Sequence, residues 1–155
     1  MSGEVSIRLF RPGDETAFHD INIGWIERYF VVEEKDRDTL EHPRESILEK
    51  GGAILMAVDG DPAIGCVALI PMGGGGFELA KMGVAPEAQG RGVGRKLIAA
   101  AIAHARQLGA ERLYLETNSA LKPALKLYSD AGFKPVQGPP SPYARADVQL
   151  ELLLG

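Results

Sequence analysis

The run VAPEAQGRGVGRKLIAAAIAHA, from Val84 to Ala105, decides the fold. Its three alternating glycines, Gly90, Gly92 and Gly94, lead into an alanine-rich segment whose apolar residues recur at helical spacing. A glycine turn that opens a helix commonly binds phosphate. Backbone N–H groups can approach the oxygens without a Cβ between them, and the helix dipole adds positive charge. The stretch therefore predicts a phosphate-binding loop followed by a long helix.

Two widespread phosphate loops do not fit this stretch. A P-loop requires a hydroxyl residue after its lysine, but Lys96 follows Arg95 and precedes Leu97. A dinucleotide fingerprint requires G-x-G-x-x-G, and here Arg95 stands where the third glycine would fall. Residues 85–89 also separate the preceding strand from the glycines, whereas the dinucleotide turn follows its strand almost at once. The pattern that remains is Q-x-x-G-x-G, residues 89–94.

Composition limits the class of protein. The chain has 155 residues, 45% hydrophobic and 25% charged, which predicts one domain over residues 1–155. A net charge of -4 disfavours a dedicated nucleic-acid binder. The single cysteine, Cys66, excludes an intrachain disulfide and suits a reducing compartment. No signal peptide or membrane-spanning run is visible in the sequence, so the expected location is cytoplasmic, without a membrane partner.

Hydrophobic periodicity predicts seven strands and four helices. The predicted strands are residues 5–10, 53–58, 63–70, 77–84, 112–117, 133–136 and 146–154. The predicted helices are residues 14–28, 38–50 and 121–131, together with the one that the glycines open and that ends at Gly109. The turn Asp59-Gly60 predicts a hairpin and antiparallel pairing, while the long helix between strands predicts one right-handed parallel crossover.

Three blocks carry a resemblance to a known family. FELAKMGVAPEAQGRGVGRKL at residues 77–97, RLYLETN at 112–118 and ALKLYSDAGF at 124–133 follow one another in order. Together they resemble the GNAT superfamily of acyl-CoA-dependent N-acyltransferases, whose signature is [RQ]-x-x-G-x-[GA]. With the flanking elements, the resemblance covers nearly the whole chain. It implies an α/β fold with a mixed, mostly antiparallel sheet of about seven strands and about four helices, one parallel strand pair being splayed around the coenzyme.

The resemblance also implies a reaction. Such an enzyme moves the acetyl group of acetyl-CoA, its cosubstrate, to a primary amine by direct attack in a ternary complex, and this mechanism needs no metal. The glycine loop would bind the pyrophosphate, and the edge of the strand before it would pair with the pantetheine arm. The implied coenzyme contacts are Met82, Gly83, Val84, Gln89, Gly90, Arg91, Gly92, Val93, Gly94, Arg95 and Asn118.

Two residues are candidates for proton transfer. Glu78 lies eleven positions before Gln89, where some members of the family carry a base glutamate; the alternatives are an exposed carboxylate or one paired with Lys81. Tyr128 matches the family's general-acid tyrosine, and its alternative is a core aromatic. Each residue therefore has a structural reading beside the catalytic one.

The coenzyme-arm position departs from the family pattern. Many members place an asparagine seven residues before this tyrosine, where this chain has Leu121. Asn118 lies three residues earlier and takes its place in the prediction. The alternative role for Asn118 is the N-cap of the following helix.

In the implied fold, the acceptor lies against the first two helices and the loop before the last strand. The substrate-contact candidates are Tyr29, Glu33, Tyr143 and Arg145, with Trp25, Glu27 and Arg28 nearby and Trp25 favoured as core. A bidentate Arg145 would favour an amino-acid-like acceptor. The expected partner is a small-molecule or peptide amine. A homodimer and a non-catalytic acyl-CoA sensor of the same fold remain alternatives.

Overall fold

The computed structural model describes residues 4–154. Seven strands form one sheet in the order β1-β2-β3-β4-β5-β7-β6. The strands are β1 Val5–Leu9, β2 Ala53–Asp59, β3 Ala63–Gly73, β4 Gly76–Val84, β5 Arg112–Thr117, β6 Lys134–Pro135 and β7 Val148–Leu153. The helices are α1 Glu15–Tyr29, α2 Glu34–Glu41, α3 Pro43–Ser46, α4 Val93–Gln107 and α5 Lys122–Ala131.

All neighbouring strands pair antiparallel except β4 and β5, which α4 connects as a parallel crossover. Parallel pairing is short: it runs from Gly76 with Arg112 to Glu78 with Tyr114. Beyond Glu78 the two strands separate and leave the sheet open along the rest of β4. The predicted seven-stranded, mostly antiparallel α/β fold with one splayed parallel pair is confirmed.

Two hydrophobic cores cover the sheet. One lies beneath α1 to α3, with Phe18, Ile26 and Leu40 fully buried. The other lies beneath α4 and α5, with Leu97 and Tyr128 among its members. Burying each large apolar side chain contributes about 1.5–3 kcal/mol. Burial of these apolar faces therefore holds α1 and α4 against the sheet. The N-terminus of α4 lies at the opening between β4 and β5.

The prediction of one helix over residues 38–50 is wrong. The helical segment starts earlier, because Glu33 and Asp36 form a reciprocal capping box at the start of α2. It also breaks at His42, whose φ is -134°, because the ring of Pro43 disfavours a helical conformation in the preceding residue. Pro43 then begins the single turn α3, and a 3-10 turn, Leu48–Lys50, follows.

Three smaller predictions need correction. The strand predicted over residues 133–136 is only Lys134–Pro135, because the Phe133 amide instead donates to the Tyr128 carbonyl at the end of α5. The last strand begins at Val148, two residues later than predicted. The helix predicted to end at Gly109 ends at Gln107, and Leu108 beyond it is 42% exposed.

Candidate active site

A bulge in β4 shapes the opening between the strands. Cys66 of β3 pairs with Gly83, whereas Ala68 pairs with Ala80, so β4 carries one extra residue between these pairs. Lys81 lies in the bulge with a φ of 54°, in the left-handed region that non-glycine residues rarely adopt. The bulge bends β4 where it leaves β5. The opening forms a cavity of about 1040 Å³ that extends from the glycine loop to α2.

The glycine loop forms one end of this cavity. Gly90 and Gly92 have φ values of 85° and 76°, and a Cβ added to either would meet no atom within 4 Å. Gly92 is the N-cap of α4, and no side chain caps the amides of the first turn. Because these amides face open space at a helix N-terminus, the loop is a cradle that fits a pyrophosphate.

The other two predicted glycines have a different physical role. A Cβ on Gly94 would lie 2.9 Å from Leu127 Cδ1, so this glycine allows α4 to pack against α5. A Cβ on Gly83 would lie 2.7 Å from Trp25 Cδ1, so Gly83 allows close approach of α1. The absence of a Cβ therefore opens space for a ligand at Gly90 and Gly92, and serves helix packing at Gly83 and Gly94.

The arginines of the loop already have partners. Arg91 donates to Asp59 at 3.0 Å, and the half-exposed Arg95 donates to Asp130 at 2.7 Å. Arg95 also lines the cavity, whereas Arg91 does not. Among the other predicted coenzyme contacts, the cavity lining includes Met82, Val84, Gln89 and Val93.

Tyr128 lies on α5 with 7% of its surface exposed and stacks edge-on against Phe133, with ring centroids 6.0 Å apart. No residue from 4 to 154 hydrogen-bonds to its hydroxyl, and no buried side-chain oxygen there lacks a partner. The hydroxyl must therefore open into the cavity that Tyr128 lines. Burial raises the pKa of Tyr128 to about 12, which keeps the phenol protonated and able to donate.

Glu78 lies at the last residue pair of β4 with β5 and also lines the cavity. Burial, reinforced by the nearby Glu116, raises the pKa of Glu78 to about 7. Lys81 binds Asp36 at 2.8 Å, so the alternative of a Glu78–Lys81 salt bridge is wrong. A carboxyl group that titrates near neutral pH on a cavity wall is chemically suited to accept a proton.

Asn118 lines the cavity at the end of β5. Its Oδ1 accepts from the Ala120 amide, and its Nδ2 donates to the Arg145 carbonyl at 2.6 Å. The N-cap of α5 is Leu121, so the alternative role of Asn118 as that N-cap is wrong. Asn118 instead ties the end of β5 to the loop before β7.

A buried charge cluster, Asp36, Lys81 and Arg145, forms the other side of the cavity. Asp36 is fully buried and accepts from both Arg145 nitrogens at 2.7 and 2.6 Å and from Lys81 Nζ at 2.8 Å. Burial opposes ionisation, but the hydrogen bonds from Arg145 and Lys81 hold the pKa of Asp36 well below its usual value. Lys81 also donates to the hydroxyl of Tyr143, and Glu33 lies 3.4 Å from Arg145.

The prediction that Arg145 offers a bidentate site to a substrate carboxylate needs correction, because Asp36 occupies both of its nitrogens. Asp36 and Lys81 were not predicted from the sequence as members of this cluster. The only local sign of a buried charge was Lys81, a lysine within an apolar strand.

The remaining acceptor candidates lie at different depths. Tyr29 and Tyr143 line the cavity, and Tyr29 is 55% exposed at its edge. Trp25 is partly buried, lines the cavity and donates to Asn22. Glu33 accepts from the Ala144 amide and so fastens the loop before β7 to α2. Glu27 and Arg28 are exposed and lie outside the cavity lining.

A second carboxylate, Glu116, was also missed. It lines the cavity from β5 and accepts from the Tyr114 hydroxyl at 2.7 Å and from Ser141 Oγ at 2.6 Å. Ser141, Tyr143 and Arg145 therefore fasten residues 137–146, the proline-rich strap, to three separate elements of the cavity wall: β5, β4 and α2.

Cys66 is fully buried, accepts from Asn22 and donates to the Lys81 carbonyl. Burial raises its pKa to about 12, which disfavours a nucleophilic thiolate. Within residues 4–154, no three His, Cys, Asp or Glu side chains are grouped to bind a metal ion. No helix in that range is long and apolar enough to cross a membrane.

Comparisons with known proteins agree on the family of this chain. Residues 17–133 match the sequence model described as the acetyltransferase (GNAT) family. An uncharacterised N-acetyltransferase of Schizosaccharomyces pombe is 36% identical over 99 residues, which are 63% of this chain and 61% of that protein. The chain thus spans about three-fifths of that relative's length.

Two solved structures share the fold. A GNAT-family acetyltransferase of Staphylococcus aureus superposes with a TM-score of 0.89 at 19% identity, over 98% of this chain and all of that one. An acetyltransferase of Salmonella typhimurium, solved with acetyl-CoA, superposes with a TM-score of 0.78 at 21% identity, over 97% of this chain and 94% of that one.

Proposed function

Because the chain belongs to the acetyltransferase (GNAT) family, we propose that it transfers the acetyl group of acetyl-CoA to a primary amine by direct attack in a ternary complex. One observation carries the proposal: Glu78 and Tyr128 open into the same cavity, which continues to the glycine loop. A neighbour of this fold was solved with acetyl-CoA, which supports that donor.

The donor would bind at the α4 end of the cavity. Amides around Gly90 and Gly92 would hold the pyrophosphate, with the dipole of α4 behind them. Along β4, the residues after Glu78 have no partner strand in β5, so the pantetheine arm can add to this edge as a further strand. Arg95, Met82 and Asn118 remain proposed contacts on these walls.

Acetyl transfer then needs two proton movements. The amine nitrogen forms a bond to the thioester carbonyl carbon, the carbon–sulfur bond breaks, and the products are an N-acetylated amine and coenzyme A. Glu78 accepts the proton that the amine loses, directly or through a water, and Tyr128 donates a proton to the departing sulfur. A base of pKa about 7 suits the first step near neutral pH, and a protonated phenol suits the second.

The amine side of the cavity is bounded by Glu78, Tyr29 and the proline-rich strap. Since Asp36 binds both Lys81 and Arg145, this side offers no uncommitted cation of that cluster to an acceptor carboxylate. The proposal therefore concerns small-molecule or peptide amines in general and does not single out free amino acids.

The test is acetyl-CoA-dependent thiol release across a panel of amines, with donor binding measured in parallel by calorimetry. We expect turnover with at least one primary amine, and a large loss of rate in Glu78→Gln with unchanged donor affinity. Glu49→Gln, an exposed glutamate outside the cavity, is the matched control. Tight donor binding without turnover on any amine would contradict the proposal and favour a non-catalytic acyl-CoA sensor.

A further inference from the structure

We propose that Glu116 is a positioning residue for this reaction, whose fixed negative charge strengthens Glu78 as the base. The inference rests on the proposed role of Glu78 in acetyl transfer. Glu116 does not contact the reacting atoms in this scheme. It acts on Glu78 across the opening between β4 and β5.

The strand register places the two carboxylates on one wall. Glu78 pairs with Tyr114 in the last pair of the parallel ladder, and Glu116 lies two residues farther along β5. Side chains two residues apart on a strand share a face, and the rise of about 3.3 Å per residue puts Glu116 roughly 7 Å beyond Tyr114. Both Glu78 and Glu116 line the same cavity.

The carboxylates of Glu116 and Glu78 differ in the hydrogen bonds that they accept. Both oxygens of Glu116 accept hydroxyl hydrogen bonds, from Tyr114 at 2.7 Å and from Ser141 at 2.6 Å. Tyr114 is itself held by Gln149, which donates to its hydroxyl at 2.8 Å. Hydrogen bonds to a carboxylate favour its charged form. Glu78 accepts no hydrogen bond from residues 4–154, so its carboxylate lacks the donors that Glu116 has.

Charged groups on other elements face Glu78 as well. Lys81 from β4 and Lys35 from α2 favour its ionised form, and they act against burial and Glu116. Tyr114 from β5 and Tyr143 from the proline-rich strap also interact electrostatically with Glu78. Of these charged groups, Glu116 raises the pKa of Glu78, whereas Lys81, although bound by Asp36, still lowers it.

The decisive variant is Glu116→Gln, which keeps the shape of the side chain and removes its charge. We expect the acidic limb of the pH profile of kcat/KM to move to lower pH by about one unit, because loss of a like charge lowers the pKa of the base. Glu111→Gln, an exposed glutamate just before β5 and outside the cavity lining, should leave the limb in place.

A second readout does not require turnover. The side-chain carboxyl of Glu78, identified in ¹³C spectra by its absence in Glu78→Gln, should titrate at lower pH in Glu116→Gln than in the parent protein. An unchanged titration midpoint would overturn the inference. If the titration midpoint of Glu78 moves in Glu116→Gln while the pH profile of kcat/KM stays unchanged, Glu78 is not the base. The proposed catalytic role then fails together with the inference built on it.

Discussion

Replacing Glu78 by glutamine should change how folding stability depends on pH. The pKa of Glu78 is about 7 in the folded protein against an ordinary value of 4.5, chiefly because burial penalises the charged form. A carboxyl group whose pKa is raised by folding contributes stability that is fully present below pH 4.5 and is lost as the pH rises through about 7. At about 1.4 kcal/mol per pKa unit, the parent protein should lose about 3 kcal/mol over this window.

The glutamine of Glu78→Gln does not titrate, so the variant does not lose stability from this position as the pH rises. The free energy of unfolding of Glu78→Gln, relative to that of the parent protein, should therefore be higher at pH 8 than at pH 4.5 by up to about 3 kcal/mol. The measurement is the free energy of unfolding in urea for both proteins at both pH values. Glu49→Gln, exposed and outside the cavity, controls for the general effect of removing a carboxylate.

The result that refutes this reasoning is a stability difference between Glu78→Gln and the parent protein that is the same at pH 4.5 and pH 8. In that case Glu78 would be as well solvated in the folded chain as in the unfolded one. Its pKa would then be ordinary, and its value as a base near neutral pH would fall with it.

Four other substitutions test separate parts of the structure. Gly92→Val places a β-branched residue at a φ of 76°, which costs about 1–2 kcal/mol, and puts a side chain into the phosphate cradle; calorimetry should show at least roughly tenfold weaker acetyl-CoA binding with an unchanged circular-dichroism spectrum. Tyr128→Phe should lower kcat roughly a hundredfold without changing donor affinity, and equal losses in both would indicate a packing role. Asp36→Asn leaves the buried Lys81 without its charged partner and the partly buried Arg145 with Glu33 alone, and should lower the free energy of unfolding by about 3–5 kcal/mol. Lys81→Met should cost less, because Arg145 still neutralises Asp36; an equal cost would contradict the charge cluster as described.

The sequence predicted most of the fold because the relevant patterns are local. The strand predicted at residues 77–84, the glycines that follow and the stripe of α4 lie within about thirty residues, and each maps onto one element. The errors arose where one residue overrides a pattern. Pro43 divides a predicted helix, and Phe133, whose amide donates to the end of α5, is left out of a predicted strand.

The acceptor side could not be predicted in the same way. Asp36, Lys81 and Arg145 are separated by 45 or more residues and meet only through the fold. Nor does any local pattern indicate that Ser141 reaches Glu116. The sequence identified Arg145 as a bidentate cation, but the identity of its partner depends on tertiary contacts that place Asp36 in front of it.

The proline-rich strap has a consequence for redesign of the proposed acceptor site. Its contacts with β5, β4 and α2 are made by three residues within five positions, Ser141, Tyr143 and Arg145, while the donor cradle lies in a separate run of chain. Replacing residues 137–146 as a cassette, with those three anchors kept, would vary the proposed amine-facing wall and leave the glycine loop untouched. New acceptor preferences could thus be selected from libraries confined to seven codons.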